Sequence, residues 1–395
     1  MEDIRSKGRA QHEITRAVSL LDENGNLTEP GYARSLLPVY DRSKVKGGLL
    51  RLKEWDYYYI GNDKFGVALT IADNSYMGLD SFSFLWFGTS PADASKGSAD
   101  AERYGSEPWE ITKSPMRILT RGKTNLPETS EEGVTRIVGK NYFLKFEVTK
   151  SANKTKAGYA TDAGMTVETA AYTKNTVRRL TGHIENFDGD KPLEVAVMLT
   201  DEPRDSMVIC TPFDKTGHFY FNQKINCMAA SGYVRIGDER FEFDPSESIG
   251  LLDWGRGVWT YQNTWYWGSA SGHVDGVPFG FNIGYGFGDT SAASENMLFY
   301  NGRAHKLSEV TFNIPLGADG TESYMEPWTF TSDDGRFEMD FVPVIDRAAD
   351  TDFKVLRSNQ HQVFGRFTGR AMLDDGTKVN VRDLFGFAEK VHNKW

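Results

Sequence analysis

A chain of 395 residues with 13% aromatic side chains and 39 glycines is too long for one small core and fits two domains of about 150–200 residues. Its net charge of −10 and pI near 5.3 argue against a nucleic-acid partner, whose phosphates require clustered Lys and Arg, and against an anionic membrane surface. The combination of aromatic residues with glycine points to strands and turns rather than helices.

Residues 1–44 read as a polar arm that packs over the body, with turn signals at Asp22-Glu23-Asn24-Gly25-Asn26 and Glu29-Pro30-Gly31. The N-terminus has no apolar segment of signal-peptide type, and no run approaches 18 apolar residues, so a cytoplasmic protein without an integral membrane segment is expected. Strands are predicted over 49–61, 65–73 and 77–87, separated by the turn residues Asn62-Asp63 and Asp73-Asn74. The polar stretches 88–113 and 150–176 read as surface insertions. Further strands are predicted over 133–138, 142–149, 177–187, 193–200, 207–211, 217–224, 231–236 and 240–243, and 245–250 has room for one helical turn. In the second half the predicted strands are 297–300, 305–314, 328–331, 337–345, 362–373 and 377–392, with hairpin turns at Asn301-Gly302 and Asp374-Asp375-Gly376. Short strands at this spacing mean a sandwich or barrel. The expected division is an arm over 1–44, a β domain over 45–245 and a second over 246–395.

The densest stretch is Leu251 to Asp289. It holds four of the nine tryptophans, Trp254, Trp259, Trp265 and Trp267, an Asp253-Trp254-Gly255-Arg256-Gly257 cluster and many glycines. Its second part predicts a hairpin with the turn over 272–276. The return arm alternates Phe279, Phe281, Ile283, Tyr285 and Phe287 on one face with Gly280, Asn282, Gly284, Gly286 and Gly288 on the other. A turn centred on Val274 places Trp265 and Trp267 beside Ile283 and Phe281, and leaves a nearly empty face that carries only the Asn282 amide. A slip of one residue would mix the faces.

Asp253 allows two accounts. It is the buried partner of Arg256, with the guanidinium stacked on indole, or a proton donor in an aromatic-lined cavity. Burial raises a carboxyl pKa and a nearby Arg lowers it. Asp289 and Glu295 follow the glycine strand where a cavity mouth would lie. Asn226 either reaches a ligand or holds a turn. Phosphate-binding loops and a serine-hydrolase elbow are absent. Glu389-x-x-His392 has the spacing of carboxylate-bridged iron sites, but such sites need two copies on helices. No metal or other cofactor is therefore expected. Cys210 and Cys227 read as reduced, buried thiols.

The segments LKEWDYYYI, DSMVICTPF, YFNQKINCMAASGYV, LDWGRGVWTYQNTWYWGSASG, GFNIGYGFGD and GFAEKVHNKW resemble the DUF2804 family of bacterial proteins over nearly the whole chain from His12. The tryptophan-rich stretch is more distantly similar to the two-barrel lipocalin-like group that includes carotenoid 1,2-hydratases, tocopherol cyclases, AttH-like proteins and fungal Diels–Alderases. That resemblance implies an all-β fold of two lipocalin-like antiparallel barrels or half-barrels with few helices. It also implies a cavity for an apolar, lipid or isoprenoid-like molecule at the barrel junction, and cofactor-free hydration, cyclisation or isomerisation there. On this reading Asp253, Arg256 and Asp289 carry the chemistry. Trp254, Trp259, Tyr261, Trp265, Trp267, Asn282, Tyr285 and Asn226 contact the ligand. The alternatives are a carrier that binds without converting, and a structural protein whose indoles fill a cavity-free core.

Overall fold

The computed structural model describes residues 8–46, 48, 50–88, 104–150, 158–160, 166–168, 173–352 and 357–394. Its elements are almost entirely β-strands, as the period-two patterning requires. Much of the two polar stretches over 88–113 and 150–176 lies outside the described residues.

The first sheet has 14 strands among the described residues. Its spine runs Trp109–Lys113, Met77–Trp86, Phe65–Asp73, Lys53–Gly61, Ile249–Val258, Phe219–Ile236, Lys191–Thr200, Thr176–Asp188, Tyr142–Lys150 and Gly133–Val138. It curls on itself, so that Phe82 on one flank meets Tyr142 on the other with ring centroids 6.2 Å apart. The Tyr142 hydroxyl donates to Asp80 across that gap (2.8 Å). The half-barrel so formed encloses a core that includes Tyr58, Ile60, Leu69, Phe82, Phe146, Phe221, Leu252 and Trp254.

The second sheet has nine strands, in the order Arg303–Lys306, Met297–Tyr300, Val277–Tyr285, Gln262–Val274, Lys378–Lys394, Arg357–Met372, Phe337–Asp352, Trp328–Ser332 and Val310–Asn313. It curls around a phenylalanine-rich core in which Phe281, Phe330, Phe337, Phe341 and Phe367 interlock. The predicted 305–314 strand is two strands, and 217–224 with 231–236 is one long strand. A bulge between Ile225 and Met228, with Cys227 at φ 59°, bends that long strand without breaking it. Residues 245–250 form a turn and the start of a strand rather than a helical turn.

Sheet membership changes between Val258 and Gln262, beyond the expected boundary at Ser246: strand Ile249–Val258 lies in the middle of the first sheet. Three residues, 259–261, carry the chain into the second sheet. The two sheets pack through their outer faces, burying Tyr57, Tyr59, Phe87, Leu251, Trp267, Phe364 and Phe387 in one cluster and Tyr220, Trp259, Phe287 and Met297 in another. The N-terminal arm crosses both sheets. Gly31–Ala33 pairs with Met207–Pro212 of the first, and the Gln11 side chain donates to Leu307 O beside the second (2.9 Å).

Candidate functional site

Alternation along each strand decides what reaches the seam between the sheets. On Lys53–Gly61, the side chains of Tyr58 and Ile60 point into the first core and those of Trp55, Tyr57 and Tyr59 point to the seam. On Ile249–Val258, Leu252, Trp254 and Val258 point inward, and Leu251 and Asp253 point out. Lys224 is paired in register with Asp253, and Asp253 with Tyr57, so these three residues form one row across the first sheet. In the second sheet Gly284, Trp267, Glu389 and Gln362 form a row in the same way. The two rows face each other. The Lys224 ammonium lies 3.8 Å above the Trp267 ring, and the Tyr57 ring meets Trp267 edge-on at 5.9 Å.

The contacts within this seam are polar and buried. Lys224 pairs with Asp253 Oδ1 at 3.0 Å, and Asn222 donates to the same oxygen at 2.6 Å. Glu389 is held by two neutral donors: Trp265 Nε1 to Oε1 and Gln362 Nε2 to Oε2, each at 2.9 Å. Burial pushes the Glu389 carboxyl up to about 7, against the opposing pull of the Trp265 N–H, Arg347 and Lys224. Glu295 is raised as well, also by burial, and burial lifts the Tyr57 hydroxyl to about 12. Trp267 Nε1 donates to Asn282 Oδ1 (2.7 Å), and Asn282 in turn donates to Glu295 O (2.8 Å). Asn222 Oδ1, Asn226 Oδ1 and the Tyr59 hydroxyl are buried without a hydrogen-bond partner. A cleft of about 170 Å³ opens at one end of the seam, lined by Tyr59, Leu251, Ser269, Ser271, His273 and Phe387 among others.

The structure corrects the Asp253–Arg256 pairing. Residues three apart on a strand face opposite ways. Arg256 is fully buried on the inner side of the first sheet, 3.0 Å from Asp56 and 3.5 Å from Glu54. It donates to the carbonyls of Trp55, Gly255 and Pro127, with its guanidinium 4.1 Å from the Trp254 ring. Trp254 lies in the same inner core. Gly255 completes the motif on the seam side, where a Cβ would come within 2.0 Å of the Trp55 indole.

The hairpin register also differs from the expected one. The turn is the two residues Asp275-Gly276, both at positive φ (51° and 75°), the geometry that Asp-Gly favours in tight hairpins. Trp267 therefore pairs with Gly284, and Ser269 with Asn282. The indoles share their face with the glycines and Asn282, not with Phe281 and Ile283. The face expected to be empty is filled by tryptophan.

Of the other candidates, Trp259 packs against Trp55 and Phe287 at the seam (both 5.3 Å). Asn226 ties the two sheets by donating to Ser269 Oγ, Ser271 Oγ and Phe281 O. Tyr285 stacks on Tyr266 at 4.4 Å against the second core. Tyr261 is exposed. Asp289 is an exposed turn residue whose carboxylate accepts from Ser291 N (2.9 Å), a contact that lowers its pKa. The Glu389–His392 spacing, read on a strand, sends the two side chains to opposite faces. His392 contacts Thr264 Oγ1 (2.7 Å). Among the described residues no group of three or more His, Cys, Asp or Glu is placed to hold a metal ion.

Sequence reasoning missed Lys224, Tyr57 and Gln362 as parts of the seam, and the burial of Glu389 in it. The signal for Glu389 was present: Phe385, Phe387, Glu389 and Val391 share one strand face, and an acid in such a row is buried with its neighbours.

The chain belongs to the DUF2804 family, described as a domain of unknown function, whose match spans residues 11–395. No curated protein matches the sequence significantly. Among solved structures it is similar to kievitone hydratase from Nectria haematococca, at 11% identity over 96% of this chain and 98% of that one, with a TM-score of 0.46. It is also similar to a protein of Nitrosomonas europaea provisionally designated AttH, at 12% identity over 86% and 92%, TM-score 0.42. CghA with bound Sch210972 matches at 10% identity over 96% and 97%, TM-score 0.39.

Proposed function

We propose that this DUF2804 protein binds an apolar small molecule, lipid or isoprenoid-like, in the seam between its sheets and transfers a proton to it without a cofactor. The observation that carries the reading is Glu389: a buried carboxyl held by two neutral N–H donors between aromatic walls. An acid whose pKa is raised to near neutrality by burial is suited to protonate a carbon–carbon double bond. Glu389 takes the donor role first considered for Asp253, which commits Oδ1 to Lys224 and Asn222. The proton adds to one alkene carbon and leaves a cation on the other, which the π-faces of Trp265 and Tyr57 stabilise. Addition of water gives hydration, attack by a second double bond gives cyclisation, and loss of a neighbouring proton gives isomerisation. Loss of a proton from the product returns Glu389 to its acid form.

A carrier that binds without converting is the second reading. It is favoured by the donors that already satisfy both Glu389 oxygens.

Native mass spectrometry of the purified protein, with solvent extraction of any adduct, tests the common part of both readings. A co-purified apolar molecule is expected. A ligand-free protein whose tryptophan fluorescence is unmoved by farnesol or palmitate would overturn both. With an extracted ligand in hand, Glu389→Gln separates them. For an enzyme, turnover falls by about two to four orders of magnitude with binding retained. For a carrier, the wild type leaves the ligand unchanged.

A further inference from the structure

We infer that the loop over residues 113–124 is a docking element for an anionic lipid bilayer, with Met116, Ile118 and Leu119 inserting among the acyl chains. The inference rests on no part of the seam reading. Strands Trp109–Lys113 and Met116–Ile118 both pair with Met77–Trp86 at the margin of the first sheet. Where they meet, Met116, Ile118 and Leu119 are 63%, 85% and 47% exposed, and no large apolar side chain among the described residues is more exposed than Ile118. Single exposed apolar residues are ordinary; three within four positions are not.

The exposed charges that the loop itself carries are all positive. Lys113, Arg121 and Lys123 are exposed, and none of them makes an ion pair among the described residues. From 111 to 127 the sequence has no Asp or Glu. The acidic net charge of the whole chain does not prevent docking, because charges more than about 8 Å away are largely screened at physiological salt. Cations flanking protruding apolar side chains complement a surface of anionic headgroups over hydrocarbon.

The loop is also built, not slack. Arg117 points inward and forks onto Asp80, with both contacts at 2.8 Å, and reaches Thr124 and Ala72 O. Asp73 accepts from the hydroxyls of Thr120 and Thr124. Leu119 N and Arg121 N donate to Tyr76 O and Ser75 O. Leu119 and Arg121 both adopt φ 52°, a left-handed backbone that costs free energy for residues other than glycine. The fold therefore holds apolar side chains in water by a specific and costly geometry, with no contribution from them to the core.

Co-sedimentation with sucrose-loaded vesicles tests this. The full chain is expected to bind mixed phosphatidylcholine–phosphatidylglycerol vesicles, to bind pure phosphatidylcholine at least tenfold more weakly, and to release as salt is raised. Met116→Ser with Ile118→Ser should lower partitioning by about tenfold or more on both vesicle types. Lys113→Gln with Arg121→Gln and Lys123→Gln should remove the preference for the anionic vesicles and leave the weak binding to the neutral ones. All these side chains are exposed, and circular dichroism and melting temperature should match the wild type. Wild-type protein that stays in the supernatant at low salt, or variants that sediment like wild type, would overturn the proposal. So would concentration-dependent self-association through the same residues without vesicle binding.

Discussion

The two buried charge systems on strand Ile249–Val258 should be energetically independent, and a double-mutant cycle measures this. Asp253 and Arg256 are three residues apart, about 10 Å along a strand, on opposite faces and with no shared partner. Arg256→Met leaves Asp56 and Glu54 without that cation and removes the N–H donors it gives to three carbonyls, a loss of about 3–5 kcal/mol for breaking a buried pair. Asp253→Asn strands the Lys224 ammonium between Trp267 and Asn222, with a cost in the same range. The double variant Asp253→Asn with Arg256→Met should equal the sum to within about 0.5 kcal/mol. By contrast, Asp253→Asn with Lys224→Met removes both charges of one pair, and a coupling of about 2–3 kcal/mol is expected. Urea melts of these four variants and of Lys224→Met alone supply the values. Summed losses of this size approach a typical stability of about 5–15 kcal/mol, so the melts are run in a stabilising osmolyte. A coupling above about 1 kcal/mol between Asp253 and Arg256, or none between Asp253 and Lys224, would refute the assignment of partners.

Glu389 carries a pH signature. Its folded pKa, about 7, is raised above an ordinary carboxyl value of 4.5. Between these values the native state holds a proton that the unfolded chain has lost, so stability falls as pH rises through that window. The full effect is of the order of 3 kcal/mol at 1.36 kcal/mol per pKa unit. Glu389→Gln should flatten this dependence in melts at pH 5 and pH 8, and an unchanged slope would place the proton elsewhere. Gly255→Ala should displace the Trp55 indole and cost about 1–3 kcal/mol from overpacking, seen as a changed near-ultraviolet circular dichroism spectrum with a lower melting temperature. Gly276→Ala should cost about 1–2 kcal/mol, because the turn needs a left-handed residue there, whereas Asp275→Asn should be near neutral.

The strands themselves were legible where side chains alternate and turn residues bracket them. Phe65–Asp73 and Met297–Tyr300 fall where the pattern puts them, and Asn301-Gly302 turns the chain as expected. The all-β fold follows from that alternation. What alternation does not contain is register and long-range pairing. Lys53–Gly61 pairs with Ile249–Val258 across most of the first half of the chain, and only that pairing brings Tyr57 to Asp253. A hairpin turn displaced from Val274 to Asp275-Gly276 was enough to exchange the faces of Trp267 and Phe281. The Asp253–Arg256 pairing, one of the two accounts of Asp253, does not form for a related reason: an odd spacing on a strand sends two side chains to opposite faces however close they are in sequence. The Glu389-x-x-His392 spacing suits a metal motif only on a helix; on a strand the two side chains part, and the apolar neighbours of Glu389 are what signal its burial.

The three-residue link over 259–261 works like the spine of a book. Fully extended, it spans only about 10–11 Å, so the sheets cannot part far where Trp259 packs against Trp55 and Phe287. The cleft lies at the opposite margin, where Ile249, Gly250 and Leu251 begin one cover and Ser271, Gly272 and His273 end the other. Any widening is thus angular, with its largest displacement at that fore-edge and almost none at the spine. Tyr59 and Phe387 line the cleft at that edge, and the Asn226 hydrogen bonds to Ser269 and Ser271 cross the seam there. On the proposed reading a guest would enter from that edge, and Asp253 and Glu389 lie two residues further along the same strands than Leu251 and Phe387, which line the cleft.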